Sequence, residues 1–327
     1  MCKAVDRMFR LGILVLLAST AVLRGPARAD EVYPSQPVRI IIPFPAGSTT
    51  DTLTRIVADQ LGRKWGKPAV VENVPGMNIG AERVARAAPD GYTLLASPPS
   101  PLTINMLLYH DLPYDPSKLT PITLLATAPN VLDTRKDFPA KSVPELIAYA
   151  KANPGKVTYA SQGVGSTAQL STAMLEQIAG IKMLHVPYRG ALPALNDVIA
   201  GQVDLFFDTI TTTLPLYRGA QLRILAVGST KRIDALPDIP TMEETGLPGF
   251  RSITWFALAG PPDMPAALVA KLNRDTVDVL KDPDISAKLH QLQLDPGATT
   301  PQETAHFFAD EMKLWSKVIT DAHITVQ

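Results

Sequence analysis

The sequence predicts an α/β protein of two lobes, each a mainly parallel sheet flanked by helices. Three observations predict it. Strand-like and helix-like segments alternate in a first run, from Val38 to Ala96. The same alternation restarts after a proline-rich stretch and continues to Val227. Long amphipathic helices then close the chain, so one lobe is built from both of its ends.

Val38 to Ile42 is β-branched and stops at Pro43, the pattern of a buried strand. A loop over 43–50 follows, then Leu53, Ile56, Val57 and Leu61 recur at helical spacing across 52–64. Ala69–Val71 and Thr93–Ala96 are further strands, with a helix over 80–88 between them. In the second run, Pro144–Lys151 is a helix closed by Asn153-Pro154-Gly155. Strands are expected at Val157–Ala160, Met183–Val186, Val203–Phe207 and Leu222–Val227, with helices at 166–179 and Leu192–Ala200. Ile253–Ala259 is a strand, and Pro265–Leu280 and Pro301–Ile319 are helices. The chain crossings between lobes fall near 125–132 and 226–231. This divides the chain into residues 30–128 with 229–327 as the first lobe and 129–228 as the second.

The first 29 residues have the form of a secretory signal peptide. Lys3, Arg7 and Arg10 precede an uncharged apolar run from Leu11 to Val22, and Ala27-Arg28-Ala29 fits a cleavage site. The run is short for a membrane span, which needs roughly 20 residues. The whole chain has 31 basic and 31 acidic residues. Removing the five basic residues and one acid of the leader leaves a mature protein of about −4. No basic excess remains to attract nucleic acid. The single cysteine is Cys2, in the leader, so the mature chain has neither a disulfide nor a thiol nucleophile. Its stability rests on apolar cores, for which its length suffices in two domains.

Two strand-to-helix loops carry the candidate chemistry. Phe44 to Asp51 contains Gly47 and three consecutive hydroxyls, Ser48, Thr49 and Thr50. Helix N-termini present unpaired N–H groups and the positive end of the helix dipole, which suit an anion. Spacing alone favours the plainer alternative, an N-cap by Thr50 or Asp51. The second loop, Ser161 to Thr167, holds Gly163 and Gly165 with Ser161, Ser166 and Thr167 close by. One such loop is weak evidence; one in each lobe fits a ligand held between them. A Walker A, a dinucleotide fingerprint and a Gly-x-Ser-x-Gly elbow are all missing. The five histidines lack metal-ligand spacing. His185, in an apolar strand, is expected to be structural. Asp204 and Asp208, at opposite ends of a strand, are not placed for paired acid–base work.

The ordered blocks of the mature chain resemble the Bug family, the substrate-binding receptors of tripartite tricarboxylate transporters. They run from Pro43-Phe44-Pro45-Ala46-Gly47 with Asp51, through Asn78-Ile79-Gly80-Ala81 and Ala88-Pro89-Asp90-Gly91-Tyr92, to Gly163-Val164-Gly165-Ser166. They continue with His185-Val186-Pro187-Tyr188-Arg189-Gly190, Gly201-Gln202-Val203-Asp204, Phe207-Asp208 and Trp255-Phe256-Ala257. The resemblance implies a type II periplasmic binding protein, a Venus flytrap with its ligand in the interlobe cleft. The implied first-lobe contacts are Phe44, Ala46, Gly47, Ser48, Thr49, Asp51 and Ser97. The second-lobe contacts are Ser161, Gly163, Val164, Gly165, Ser166, Thr167, Tyr188 and Asp208. For Asp208, holding a ligand ammonium or a water and ordering its own turn are equally weighted.

Three departures from the family pattern bear on the ligand. Ser48 stands where a second glycine is usual, the loop around Met77 is two residues shorter, and Ala168-Gln169 replaces a histidine position. Met77, Phe44, Tyr188 and Trp255 could form an apolar wall, with core packing the default for Trp255 and Phe44. The expectation is therefore a periplasmic, monomeric solute receptor with no catalytic residue, metal or cofactor. It would capture a small organic carboxylate and dock transiently on membrane transporter subunits. An extracytoplasmic sensor feeding a receptor kinase, or an exported hydrolase, are the competing readings.

Overall fold

The structure, a computed structural model, describes residues 33–324. The leader and its cleavage site lie outside the described residues. Residues 33–35 belong to a separate short N-terminal unit and contain a cis Tyr33–Pro34 peptide. The fold described below starts at Gln36.

Strand β1 (Val38–Ile42) sits between β2 (Ala69–Asn73) and β3 (Thr93–Ser97), both parallel to it. Val38, Ile40, Ile41 and Ile42 are fully buried, as a strand covered on both faces requires. Helix α1 (Thr49–Trp65) joins β1 to β2 and ends at left-handed Gly66. It starts three residues before the expected Thr52. Helix α2 (Met77–Ala85) joins β2 to β3 and likewise starts ahead of the expected 80.

After β3 comes a buried π-helical turn, Ser100–Ile104, running into α3 (Asn105–Leu108). The prolines at 98, 99 and 101 conceal it in the sequence. Strand β4 (Thr120–Arg135), of 16 residues, was expected only as a crossing. Pro121 and Pro129 mask it, because proline cannot donate to a ladder. The ladder with β9 shifts register beside Pro121, between Pro121 and Thr123, and again between Leu124 and Ala126, while Pro129 stays paired with Ile253.

The second run contains α4 (Val143–Ala152), β5 (Thr158–Ser161), α5 (Thr167–Ala179), β6 (Leu184–Pro187) and α6 (Ala191–Ile199). It continues with β7 (Leu205–Thr209), α7 (Ile210–Arg218) and β8 (Leu222–Val227). Strand β5 is parallel to both β6 and β7. Helix α7 was not expected. Three threonines and an internal Pro215 give it poor intrinsic propensity, and burial of Ile210, Thr213 and Leu214 holds it.

The C-terminal part supplies β9 (Ile253–Gly260), α8 (Ala266–Lys281), α9 (Pro283–Gln291), β10 (Asp295–Pro296) and α10 (Pro301–Asp321). The strand order is β2-β1-β3-β9-β4-β7-β5-β6, with β8 and β10 also on β4. Strand β4 belongs to both lobes. Its first part, to Pro129, pairs antiparallel with β9, and from Asn130 it pairs with β7 and β8. Each lobe thus has a parallel three-stranded core, and antiparallel strands fill the span between the cores.

Three chain segments meet where β4 changes partner. Gly228 N–H donates to Asn130 O (2.7 Å), Ser252 N–H to Gly228 O (2.8 Å) and Asn130 N–H to Ser252 O (3.1 Å). A Cβ on Gly228 would stand 2.5 Å from Ser252 O, so only glycine fits. Between these crossings the chain stays on the second core: Phe250 stacks on Phe207 at 5.6 Å, and Met242 and Leu247 are buried in the same cluster. Helix α10 opens with a capping box, Thr300 with Glu303. Its Phe307 and Phe308 contact Trp255 in the first core, while Trp315 joins the second. Buried Glu311 accepts both indole N–H groups, from Trp255 (2.8 Å) and Trp315 (3.0 Å). Trp255 is therefore core. Among the described residues no helix is long and apolar enough to cross a membrane.

Candidate functional site

The first loop is ordered from behind by Asp51. Ser48 is the N-cap of α1, and its Oγ accepts the Asp51 N–H at 3.3 Å. The Asp51 carboxylate reaches back to the Gly47 N–H (3.0 Å), a variant of the capping box that reaches one residue beyond the cap. Gly47 has φ +80°, where a side chain is disfavoured. Asn73 Nδ2 (2.9 Å) and Arg55 Nε (3.0 Å) also donate to Asp51. Burial alone would raise the Asp51 pKa; the bonds from Arg55, Gly47 and Asn73 and the Arg55 charge outweigh it and hold the carboxyl below its ordinary value.

The second loop is ordered by uncharged groups. Ser161 Oγ accepts the Gly163 N–H (3.1 Å) and lies 2.6 Å from His185 Nε2. The His185 ring stacks on Tyr159 at 4.9 Å, and its Nδ1 is 3.4 Å from Gln169 Nε2. Gln169 Oε1 accepts the Gly165 N–H at 2.8 Å. Burial lowers His185 to about 4, so it is neutral at physiological pH. Ser161 is fully buried and does not line the cavity, and an amide stands where a triad would need an acid. The Ser161–His185 pair shapes the loop.

The two loops close on one cavity, where about 490 Å³ of atom-free space includes its opening to solvent. Four helix starts border it: Ser48, Thr49 and Thr50 of α1, Ser166 and Thr167 of α5, Ala191 of α6 and Thr209 before α7. The caps of α6 and α7, Gly190 and Thr209, make no side-chain capping bond. Phe44, Pro98, Ser100, Gln162, Asp208, Thr254 and Phe256 complete the lining, and none of the lining residues is cationic. The arrangement offers backbone N–H groups, hydroxyls and converging helix dipoles to an anion, with an apolar floor. The lobes touch directly across it, Thr49 Oγ1 to Thr209 Oγ1 at 2.8 Å and Ser100 Oγ to Gly165 O at 2.9 Å.

Of the fifteen residues expected at the site, Phe44, Ser48, Thr49, Ser166, Thr167 and Asp208 line this cavity. Gly163 and Tyr188 line an adjoining hollow. Ala46 and Gly47 lie on the exposed outer turn of their loop. Asp51 and Ser161 stand behind the loops they order. Ser97 is buried, with its hydroxyl on Pro98 O. Gly165 is pressed against Leu108, 2.7 Å from where a Cβ would sit, and Val164 is half-buried outside the lining. The sequence reading did not include Ser100, Gln162, Ala191, Thr209, Thr254 and Phe256. Ala191 could have been found by asking which other helix starts directly after a strand. Thr254 and Phe256 could not, because they arrive from β9 in the returning segment.

Asp208 is 1% exposed. Its carboxylate accepts Gln162 Nε2 (2.9 Å), Thr212 Oγ1 and Thr213 Oγ1 (3.3 Å). The threonines belong to the first turn of α7, so Asp208 orders that helix start. Thr213 Oγ1 lies equally close, 3.3 Å, to Asp133 Oδ2 on β4. Burial raises Asp208 to about 6. Asp133 is raised well above the ordinary value by burial and then by the charge of Asp208. Asp204, at the other end of β7, pairs instead with Arg135 at 2.9 Å. Among the described residues no cluster of three His, Cys, Asp or Glu is placed to hold a metal ion.

Comparison with known proteins gives this geometry a family. A family model described as "Tripartite tricarboxylate transporter family receptor" matches residues 53–324. A structure described as R. palustris Rpa4515 with adipate is 34% identical, with a TM-score of 0.86 over 90% of this chain and 99% of that one. The periplasmic binding protein BugD is 33% identical, with a TM-score of 0.84 over 90% of this chain and all of its own. MatC (Rpa3494) from Rhodopseudomonas palustris, with bound malate, is 31% identical, with a TM-score of 0.83 over 88% of this chain and all of its own. The two-lobed type II architecture is common to them, and the chain belongs to the Bug family of tripartite tricarboxylate transporter receptors.

Proposed function

We propose that this protein captures a small organic carboxylate between its lobes and delivers it to a tripartite tricarboxylate-type transporter in the membrane. The observation that carries the reading is the convergence of four helix N-termini, from both lobes, on one cavity without a lining cation. The adipate and malate held by its relatives are anions of the kind such a site suits. Of the fifteen expected residues, six form the wall of this cavity, and we assign the ligand contacts to those six together with the other lining residues. In the periplasm, after removal of residues 1–29, the monomer would alternate between open and closed forms. A ligand touching both lobes favours the closed one by its differential affinity. We place the hinge at Asn130, Gly228 and Ser252. The segment 229–251 then moves with the second lobe, in place of the boundary expected after Gly228.

The test is thermal unfolding of the chain, refolded to remove carried ligand, against mono-, di- and tricarboxylates and aromatic acids. A ligand at a hundredfold excess over its Kd adds about 2.7 kcal/mol of stability. A rise in Tm for a chemical subset, with the ligand recovered unchanged, supports capture. Absence of any shift across all carboxylates overturns it.

A further inference from the structure

Two carboxyl groups lie one behind the other in the second-lobe wall of the cavity. Asp208 lines the cavity from β7, and Asp133, 0% exposed, stands behind it on β4. Thr213 Oγ1 bridges them, 3.3 Å from Asp133 Oδ2 and 3.3 Å from Asp208 Oδ2. A hydroxyl carries one hydrogen. With both acids ionised, one of these contacts would set lone pair against lone pair in a dry interior. Asp133 Oδ1 has no hydrogen-bond partner among the described residues. An ionised Asp133 would thus hold a fully buried charge on at most one donor, which is costly. A proton on Asp133 Oδ2 removes both faults. It donates to Thr213 Oγ1, and Thr213 donates its own hydrogen onward to Asp208.

Asp208 is set up differently. Its carboxylate accepts from Gln162, Thr212 and Thr213, so its ionised form is supported. It is the one ionisable group among the residues lining the cavity. The charged groups on the elements packed around the pair are committed elsewhere. Arg135 on β4 pairs with Asp137 and with Asp204 of β7. Arg223 on β8 donates to the carbonyls of Lys136, Phe138 and Ala140. Glu176 on α5 accepts the Met183 N–H, Asp197 on α6 the Tyr188 hydroxyl, and Glu311 on α10 its two indoles. Tyr159 on β5 stacks on neutral His185, and Tyr217 and Arg218 lie in the last turn of α7.

We propose that Asp133 holds a resident proton and that Asp208 takes up another from solvent when a carboxylate binds, so that anion and proton are captured together. With no cation in the lining, a bound carboxylate and an ionised Asp208 would place two like charges in one desolvated space, and such a pair cannot stay doubly ionised. Protonated Asp208 turns from repelling the ligand to donating its hydroxyl to it, and O–H···O⁻ bonds are among the strong ones. Burial already lifts Asp208 to about 6 in the empty protein, so a further rise on binding brings the uptake to neutral pH. The proposal rests on the carboxylate-capture reading and adds to it what enters with the anion.

The experiment is calorimetric titration of the refolded chain with adipate and with malate between pH 7 and 8, in buffers of different ionisation enthalpy. Binding should take up about one proton per ligand, and affinity should fall by about five- to tenfold per pH unit. Asp208→Asn should abolish both the uptake and the pH dependence. Asp133→Asn keeps a donor toward Thr213 and should leave both in place. A second measurement needs no ligand. The infrared spectrum at pH 7 should contain the C=O stretch of a protonated carboxylic acid that Asp133→Asn lacks, and its absence overturns the resident proton. Binding with no proton uptake and a flat pH profile overturns the coupling and leaves carboxylate capture intact. Uptake that persists in Asp208→Asn overturns Asp208 as its site. Failure of both probes to bind at any pH, in wild type and in Asp208→Asn, overturns capture of such acids and the coupling with it, while the ligand-free spectrum still decides the proton on Asp133.

Discussion

The two cleft loops end in the same device, a hydroxyl-capped helix N-terminus, but they are held by opposite chemistry. The first is tied to an ionised acid, Asp51, which gathers Gly47, Asn73 and Arg55. The second is tied by neutral groups, Ser161, His185 and Gln169. The difference follows from burial. Arg55 is half-exposed, so an ion pair there is solvated. Ser161 is fully buried, where an unpaired charge would be costly. In both loops the ordering groups sit behind the backbone, leaving the helix starts free to face the cavity.

The largest effect comes from placing a carboxylate in either loop. Gly47 faces Leu192 Cδ1 at 3.3 Å and Gly163 faces Met77 Cε at 3.2 Å, both ends of flexible side chains. Gly47→Asp and Gly163→Asp should therefore fold, with some strain from their positive φ. Each should lose more than about 100-fold in affinity, or about 2.7 kcal/mol, read by calorimetry with circular dichroism as the fold control. Retained affinity in both would remove the loops from the site.

Acid sharpens the contrast next. His185 is lowered to about 4, so the stability it confers is present above its ordinary value and lost as pH falls toward 4. Asp208 is raised to about 6, so its contribution is lost as pH rises to about 6, and Asp133 acts in the same direction. His185→Gln should flatten the acid side of a Tm-against-pH curve. Asp133→Asn should raise Tm more at pH 7 than at pH 4. Parallel curves for wild type and both variants would contradict these assignments.

How far the sequence foretold this depends on how local each feature is. The parallel strands and the two loops are written in runs of a few residues, and the reading found them; the cap of the first helix, expected at Thr50 or Asp51, is Ser48. Strand β4 was hidden because Pro121 and Pro129 interrupt its pattern, although Pro129 stays in register with Ile253 and only Pro121 adjoins a register shift against β9. Helix α7 was hidden because burial, not propensity, forms it. Asp133 escaped because its neighbour, Asp208, is 75 residues away in sequence and adjacent only through strand pairing. Thr254 and Phe256 reach the cavity by the same long-range route.

Removing the ordering groups tests whether the charged tie is the stronger. Asp51→Ala removes the acceptor of three donors, of which Asn73 keeps its bond to Phe44 O (3.1 Å) and Arg55 its bond to Asn73 Oδ1 (2.9 Å). It should cost about 2 kcal/mol, since bonds to ionised groups are worth more. Its folded pKa is depressed, so the stability it confers is present above the ordinary carboxylate value and lost as pH falls through the folded pKa. Ser161→Ala removes neutral bonds and should cost about 1 kcal/mol. Denaturant unfolding of both at pH 7, and of Asp51→Ala again in acid, decides the order. An equal cost at pH 7 would mean that solvation of Arg55 cancels the advantage of charge.

The smallest effect lies at the caps, where the two loops should become alike. Ser48 and Ser166 each accept from the third residue of their helix, at 3.3 and 3.4 Å. Those lengths are at the weak end for a hydrogen bond. Replacement by alanine should therefore cost about 0.5–1 kcal/mol in each loop. In the first loop the Asp51–Gly47 bond persists without Ser48, and in the second the Gln169–Gly165 bond persists without Ser166. Each loop thus keeps a second tie, and affinity should fall by less than the glycine variants lose, because one hydroxyl is removed while the backbone N–H groups stay in place. A loss in Ser48→Ala or Ser166→Ala as large as in Gly47→Asp would shift the anion's main contact from the backbone to the cap hydroxyl itself.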